Sequence, residues 1–145
     1  MKKIVLTFAI LLLLPFAAIA GPDKHIIFGQ LPSASQKFIG EHFSDLQISL
    51  VTMDKELLDT TYEVIFTNGY KVEFGKNGEW KEMDCEFGQV PETALPVPIS
   101  EFVARNHPGL HVIEIDRDKR DYELKLNNGI ELKFDLKFKF LGYDN

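Results

Sequence analysis

The sequence predicts an α+β protein built of two tandem repeats, each one helix plus a four-stranded antiparallel meander. The sheets are joined or packed side by side, with the helices on one face. Three observations predict this. An internal duplication runs through the chain in register. Asn-Gly bends separate short alternating strands. Each copy opens on an amphipathic stretch introduced by proline.

Length and composition set the frame. The 145 residues are 45% hydrophobic and 26% charged, the profile of one ordinary domain rather than a collagen, a disulfide scaffold or a disordered tail. Met1-Lys2-Lys3 precedes an apolar run from Ile4 that ends Ala18-Ile19-Ala20 before Gly21-Pro22. A basic start, an apolar middle and a small-x-small end read as a secretory signal peptide over 1–20. No cysteine follows the small residues, and no stable membrane anchor is expected after cleavage. Removing 20 of 145 residues leaves 125, and removing Lys2 and Lys3 from 16 basic residues leaves 14 against 22 acidic ones, a net charge of −8. Such a surface repels phosphate backbones, so nucleic acid is excluded as a partner.

Residues 21–30 read as an N-terminal extension, 31–84 as the first repeat, 85–94 as a linker and 95–145 as the second repeat. Leu31-Pro32 aligns with Leu95-Pro96, Phe38-Ile39 with Phe102-Val103, and Val51 with Ile115, all at an offset of 64. After a four-residue deletion, Tyr62-Glu63-Val64 aligns with Tyr122-Glu123-Leu124, Asn68-Gly69 with Asn128-Gly129, and Trp80 with Phe140, at an offset of 60. The repeats are expected to form one domain, since a unit of about fifty residues buries too little surface alone.

The first helix is expected from Ser33, with Gln36 completing a capping box. Ala34, Phe38, Ile39, His42 and Phe43 would share its buried face. In the second helix Pro98 suits the first turn and Pro108 stops it. The strands at 46–54 and 111–118 lose alternation midway, which a bulge or burial on both faces would explain. The next hairpins follow from parity, because residues paired across antiparallel strands share a face. A three-residue Thr67-Asn68-Gly69 loop pairs Phe66 with Tyr70, Val64 with Val72 and Tyr62 with Phe74, and predicts Gly69 in a left-handed conformation. Asn127-Asn128-Gly129 does the same for Leu126 with Ile130 and Tyr122 with Phe134. Lys76-Asn77-Gly78 sets Phe74 opposite Trp80. The second copy has Leu136-Lys137-Phe138 there, with no turn glycine, and the duplication favours a hairpin over one long strand. The proline-rich stretch from Cys85 to Pro98 is expected to be a stiff, extended connector.

No catalytic constellation is present. His25, His42, His107 and His111 show no ligand spacing, and Pro108-Gly109 keeps His107 and His111 off a common helical face. Asp116, Asp118, Asp121 and Glu123 have the look of a calcium loop, but its glycine is missing and Arg117, Lys119 and Arg120 offset the charge. A solvated hairpin tip is the expectation. Cys85, the one cysteine, can form no intrachain disulfide and reads as a small buried apolar residue. No catalytic, cofactor-binding or metal-binding residue is therefore assigned, and no cofactor is expected.

An export signal combined with Leu-Pro, Phe-Ile, Tyr-Glu-Val, Asn-Gly, Val-Glu-Phe and Gly-x-Trp, spread over Leu31 to Asp144, resembles the beta-lactamase-inhibitor-like, PepSY-like family of small exported bacterial proteins. The resemblance implies helices packed on one face of a curved antiparallel sheet, with the other face free for a partner protein. It transfers no inhibitory residue, because the matching motifs are turn and core positions.

The expected function is a periplasmic or secreted, non-catalytic binding module. Its partner would be an exported protein bound on the open sheet face, which carries Glu63, Lys71, Glu73, Glu123, Lys125, Glu131 and Lys133. The alternative is a small-ligand or metal-binding envelope protein, which predicts a concave pocket.

Overall fold

The computed structural model describes residues 23–144; the expected signal peptide lies outside the described residues. Two helices pack on one face of a single nine-stranded antiparallel sheet whose strands are ordered as in the sequence. The elements are β1 (Lys24–His25), α1 (Ser33–His42), β2 (Ile48–Lys55), β3 (Thr60–Phe66), β4 (Lys71–Phe74) and β5 (Trp80–Asp84). They are followed by α2 (Val97–Asn106), β6 (Val112–Arg117), β7 (Asp121–Leu126), β8 (Glu131–Asp135) and β9 (Phe140–Asp144). The sheet has one strand more than the eight expected. The extra one is β1, formed by the predicted extension, which pairs Lys24 with Met53 and His25 with Thr52.

Parity arguments hold at the hairpins. Val64 faces Val72 and Tyr62 faces Phe74. The Phe66 N–H donates to the Tyr70 carbonyl at 2.9 Å, closing a three-residue loop with Gly69 at φ 91°. In the same way Leu126 donates to Ile130 at 2.8 Å, with Gly129 at φ 90°. Asn68 and Asn128 each accept from the N–H two residues on, at 3.0 and 3.1 Å, which is why asparagine suits these bends. The irregular strands carry their bulges between Ile48 and Leu50 and between Val112 and Glu114.

Residues 135–139 form a hairpin, not a continuous strand. Asp135 donates to Lys139 at 2.9 Å, and Phe138 takes φ 65° where Gly78 takes φ 83°. A left-handed phenylalanine costs about 1–2 kcal/mol. Its ring stacks on Tyr122 with centroids 5.3 Å apart, a contact worth about 0.5–1.5 kcal/mol that offsets much of that strain.

Three local expectations need correction. The capping box at Ser33 does not form. Pro32 occupies the cap position, and Gln36 turns outward to donate to the Leu31 carbonyl at 2.8 Å. The buried face of α1 is set by Ser35 and Ile39, and Ala34 is exposed, because Ser35 donates to the Gly78 carbonyl at 3.0 Å and fixes the rotation of the helix. The connector 85–94 is not held away as an extended spacer. Cys85 and Val90 are buried and donate to Ile113 and Val112, both at 2.8 Å.

Aromatic contacts seat the helices. Phe43 stacks on Phe66 at 5.3 Å, Phe38 meets Phe74 edge-on at 5.8 Å, and Phe102 meets Phe134 edge-on at 5.1 Å. With Val64, Val72, Met83, Ile115, Leu124 and Leu132 they form one continuous core. Among the described residues no helix covers the opposite face of the sheet.

Gly78, in the β4–β5 turn, passes close to the start of α1. A Cβ there would lie 2.8 Å from Pro32 Cβ and 3.1 Å from Ser35 Oγ, whereas at Gly129 it would meet nothing within 4 Å. Gly129→Ala should therefore cost about 1–2 kcal/mol of left-handed strain. Gly78→Ala should cost about 1–3 kcal/mol more from overpacking. Urea denaturation of the two variants measures the difference, and equal losses would contradict the contact.

Candidate functional site

The period-two geometry of strands puts every second residue of each strand on the helix-free face. Reading the observed register across that face gives two rows. The first runs Glu63, Glu73, Glu82, Asp116, Glu123, Lys133, each residue directly opposite the next. The second runs Lys71, Asp84, Glu114, Lys125, Glu131. The second row mixes its charges. The first sets five carboxylates side by side on five strands, although like charges directly opposite one another destabilise a sheet.

The rows tighten at the seam between β5 and β6. Carboxylate oxygens of Glu82, Glu114 and Asp116 come within 4.8 Å of one another, each side chain half-buried. Burial and then the neighbouring Asp116, Glu114, Glu73 and Asp84 push Glu82 up to about 7. Burial and then Glu114, Glu123, Glu73 and Asp84 push Asp116 up to about 6. Glu114 is raised by burial and Asp84, against the opposing pull of Lys125 and of a hydrogen bond with Glu82. Lys81 and Arg117 are engaged away from the cluster, and Lys133 holds the far end of the first row. Lys81 reaches Asp59 at 3.7 Å, Arg117 reaches Glu79 at 3.2 Å, and Lys133 bridges Asp121 at 3.4 Å and Glu123 at 3.1 Å. Beside the seam lies a shallow hollow of about 280 Å³, lined by Glu73, Glu82, Asp116 and Glu123 together with residues of the β6–β7 tip.

The four residues resembling a calcium loop separate. Asp118 caps the β6–β7 tip, accepting from the N–H groups of Arg120 and Asp121, which hold its carboxyl below the usual range. Asp121 is tied to Lys133. Asp116 and Glu123 instead turn onto the open face, opposite one another. The histidines do not converge. His42 Nδ1 pairs with Thr93 Oγ1 at 2.9 Å, and His107 Nε2 pairs with the Tyr143 hydroxyl at 3.2 Å. Cys85 is fully buried, and burial followed by Asp84 pushes its thiol up to about 12, which disfavours the reactive thiolate.

Glu82, Asp84, Glu114 and Asp116 are missing from the sequence reading of the open face, because the β5–β6 register has no local signal. One signal was available. At the offsets that relate the two halves, Glu82, Glu114 and Asp116 correspond to Gly142, Leu50 and Thr52. Under the expected duplication the three carboxylates would be departures from the repeat, and all three fall at the β5–β6 junction.

The free face has no aromatic patch among the described residues. Large exposed apolar side chains sit at bends, as with Leu57 and Leu58 at 98% and 95% exposure, at the start of α2 (Val97) or on the outer strand β9. A hollow between α2, the connector and β6 measures about 230 Å³, and two open surface hollows of about 680 and 540 Å³ lie around Leu58, Trp80 and Lys119 and around His107, Ile130 and Tyr143.

The chain belongs to the PepSY-like family: the family model described as "Putative beta-lactamase-inhibitor-like, PepSY-like" matches residues 60–142. Solved structures agree. The chain is similar to a putative calcium-regulated periplasmic protein of Bacteroides thetaiotaomicron, at 50% identity and TM-score 0.81, covering 85% of this chain and 97% of that one. It is similar to a putative periplasmic protein of Bacteroides vulgatus at 44% identity and TM-score 0.83, covering 87% and 99%. A second Bacteroides vulgatus protein, a putative periplasmic protein of unknown function, matches at 35% identity and TM-score 0.78, covering 85% and 99%. No curated protein matches the chain. The neighbours locate the chain in the periplasm, and no helix among the described residues is long and apolar enough to cross a membrane.

The raised carboxyls give stability a definite pH dependence. Between about pH 4.5 and 7 the unfolded chain releases the Glu82 proton while the folded chain retains it. Stability from this group is full below the unfolded value and is lost as pH rises through the folded one. The melting temperature should fall across that window, with Asp116 adding to the fall from about pH 4 to 6. Glu82→Gln should flatten the slope and raise the melting temperature at pH 8. A variant that melts lower than the parent at pH 8 would contradict the crowding.

Proposed function

We propose that this protein is a non-catalytic, calcium-responsive periplasmic binding module whose working surface is the helix-free sheet face. The observation that carries the reading is the convergence of Glu82, Glu114 and Asp116, brought together from two adjacent strands with their carboxyls held above the ordinary range. Carboxylate oxygens are the hard donors calcium prefers, and calcium completes six to eight oxygen contacts with water when the protein supplies few. The residues therefore fit the ion implied by the neighbour named as calcium-regulated. Glu82, Glu114 and Asp116 would hold it, with Glu73, Asp84 and Glu123 adding negative field. Binding would release the retained protons. It would also cancel the repulsion along the first row.

An exported protein docking on this face would then meet a charge pattern set by calcium. The two rows of charged side chains on that face suit polar recognition. The same proposal takes the two halves as copies of one ancestral unit, supported by matching hairpin registers and by Gly69 and Gly129 at the same φ.

Thermal melting with calcium, magnesium and chelator tests the cation reading. Calcium should raise the melting temperature saturably, by the equivalent of about 2.7 kcal/mol at a hundredfold excess over the dissociation constant. Magnesium should act more weakly, because it gives up its water reluctantly. The double variant Glu82→Gln, Asp116→Asn should lose the calcium shift, and a parent protein indifferent to calcium would overturn the proposal.

A further inference from the structure

The geometry points to the edge of the sheet at β9, unpaired among the described residues, as a dimerisation surface whose occupant is a second copy of this chain, joined β9 to β9 antiparallel about a twofold axis. This does not rest on the calcium reading. The two outer strands are treated differently. β1 is only Lys24–His25, a short, polar strand of the kind that blunts an edge. β9 runs five residues and leaves Leu141 and Tyr143 at 52% and 55% exposure, an apolar edge that invites pairing.

A strand fits there, and the fold itself contains the precedent. β9 lies against β8 with Phe134 opposite Phe140, Leu132 opposite Tyr143 and Glu131 opposite Asp144. β5 lies against β4 in the same register, with Phe74 opposite Trp80, Val72 opposite Met83 and Lys71 opposite Asp84. The outer side of β5 is taken by β6, and Met83 is fully buried. Tyr143, in the corresponding place, lacks that neighbour.

The occupant follows from what is closed. By the offset of 64, the strand of a second copy that matches β6 is β2. Its outer edge is already covered by β1 at Thr52 and Met53, and by the Ile26 N–H on the Val51 carbonyl at 3.0 Å. Head-to-tail stacking of copies is therefore blocked, and β9 is left to meet β9. Such isologous pairing closes on itself.

Side chains suit one register. The irregularity between Phe140 and Gly142 puts Phe140 and Tyr143 both on the helix side, opposite buried Phe134 and Leu132. Setting Phe140 opposite Tyr143 of the second copy covers both rings. The same register sets Lys139 opposite Asp144 on the other face, twice by symmetry. Five-residue edges bury little area, so the dimer belongs with weak, transient interfaces.

Sedimentation equilibrium of the protein purified from periplasm, from about 1 μM to about 1 mM, reads the association. A single monomer–dimer equilibrium is expected, with amide protons of residues 140–144 gaining protection as concentration rises. Leu141→Lys places two ammonium groups beside the axis and should weaken the dimer by about tenfold or more. Tyr143→Lys serves if circular dichroism shows the first variant misfolded. A parent monomeric throughout, species growing beyond the dimer, or a folded Leu141→Lys variant that dimerises equally well would each overturn the proposal.

Discussion

Three rungs between β5 and β6 hold the sheet together as one body: Glu82 opposite Asp116, Met83 opposite Ile115, and Asp84 opposite Glu114. The middle rung is apolar and both of its side chains are fully buried. Because side chains alternate along a strand, the rungs on either side must face the opposite way. Burying Met83 against Ile115 therefore presses two pairs of carboxylates together on the open face. The core contact and the charge cluster are two consequences of one register, and neither can be moved without the other.

Half-buried carboxyls at the seam keep protons that free carboxyls would release, so under the proposed function a cation would compete with protons rather than fill an inert cage. The strands beneath are fixed by packing of Met83 and Ile115 in the core, so binding changes the charge of the face with little change of shape. Arg117 and Lys133, held at the flanks by Glu79, Asp121 and Glu123, leave the centre acidic.

Local chemistry was readable in the sequence, and long-range chemistry was not. The Thr67-Asn68-Gly69 hairpin could be placed to the residue, because one misplaced residue would have set Phe66 against Lys71. The bulges near Ser49 and Ile113 showed as lost alternation. By contrast, nothing near Ser33 announced that Pro32 would take the cap position, or that Ser35 would turn inward to reach Gly78. β1 is two polar residues, too short for any periodicity to reveal. The β5–β6 pairing joins residues separated by a connector and a helix, so its carboxylates went unassigned. Only their departure from the repeat, against Gly142, Leu50 and Thr52, marked them in advance.

The central claim is that the β5–β6 register crowds the seam carboxyls into a proton-holding, cation-competent cluster. Carboxyl-carbon NMR of Glu82 and Asp116, titrated with pH in the absence and presence of calcium, tests it most directly. Without calcium the midpoints should lie near about 7 and about 6. With saturating calcium both should fall toward or below the ordinary carboxylate range, because the ion favours the ionised form. Midpoints in that ordinary range without calcium, and no change on adding it, would contradict the account.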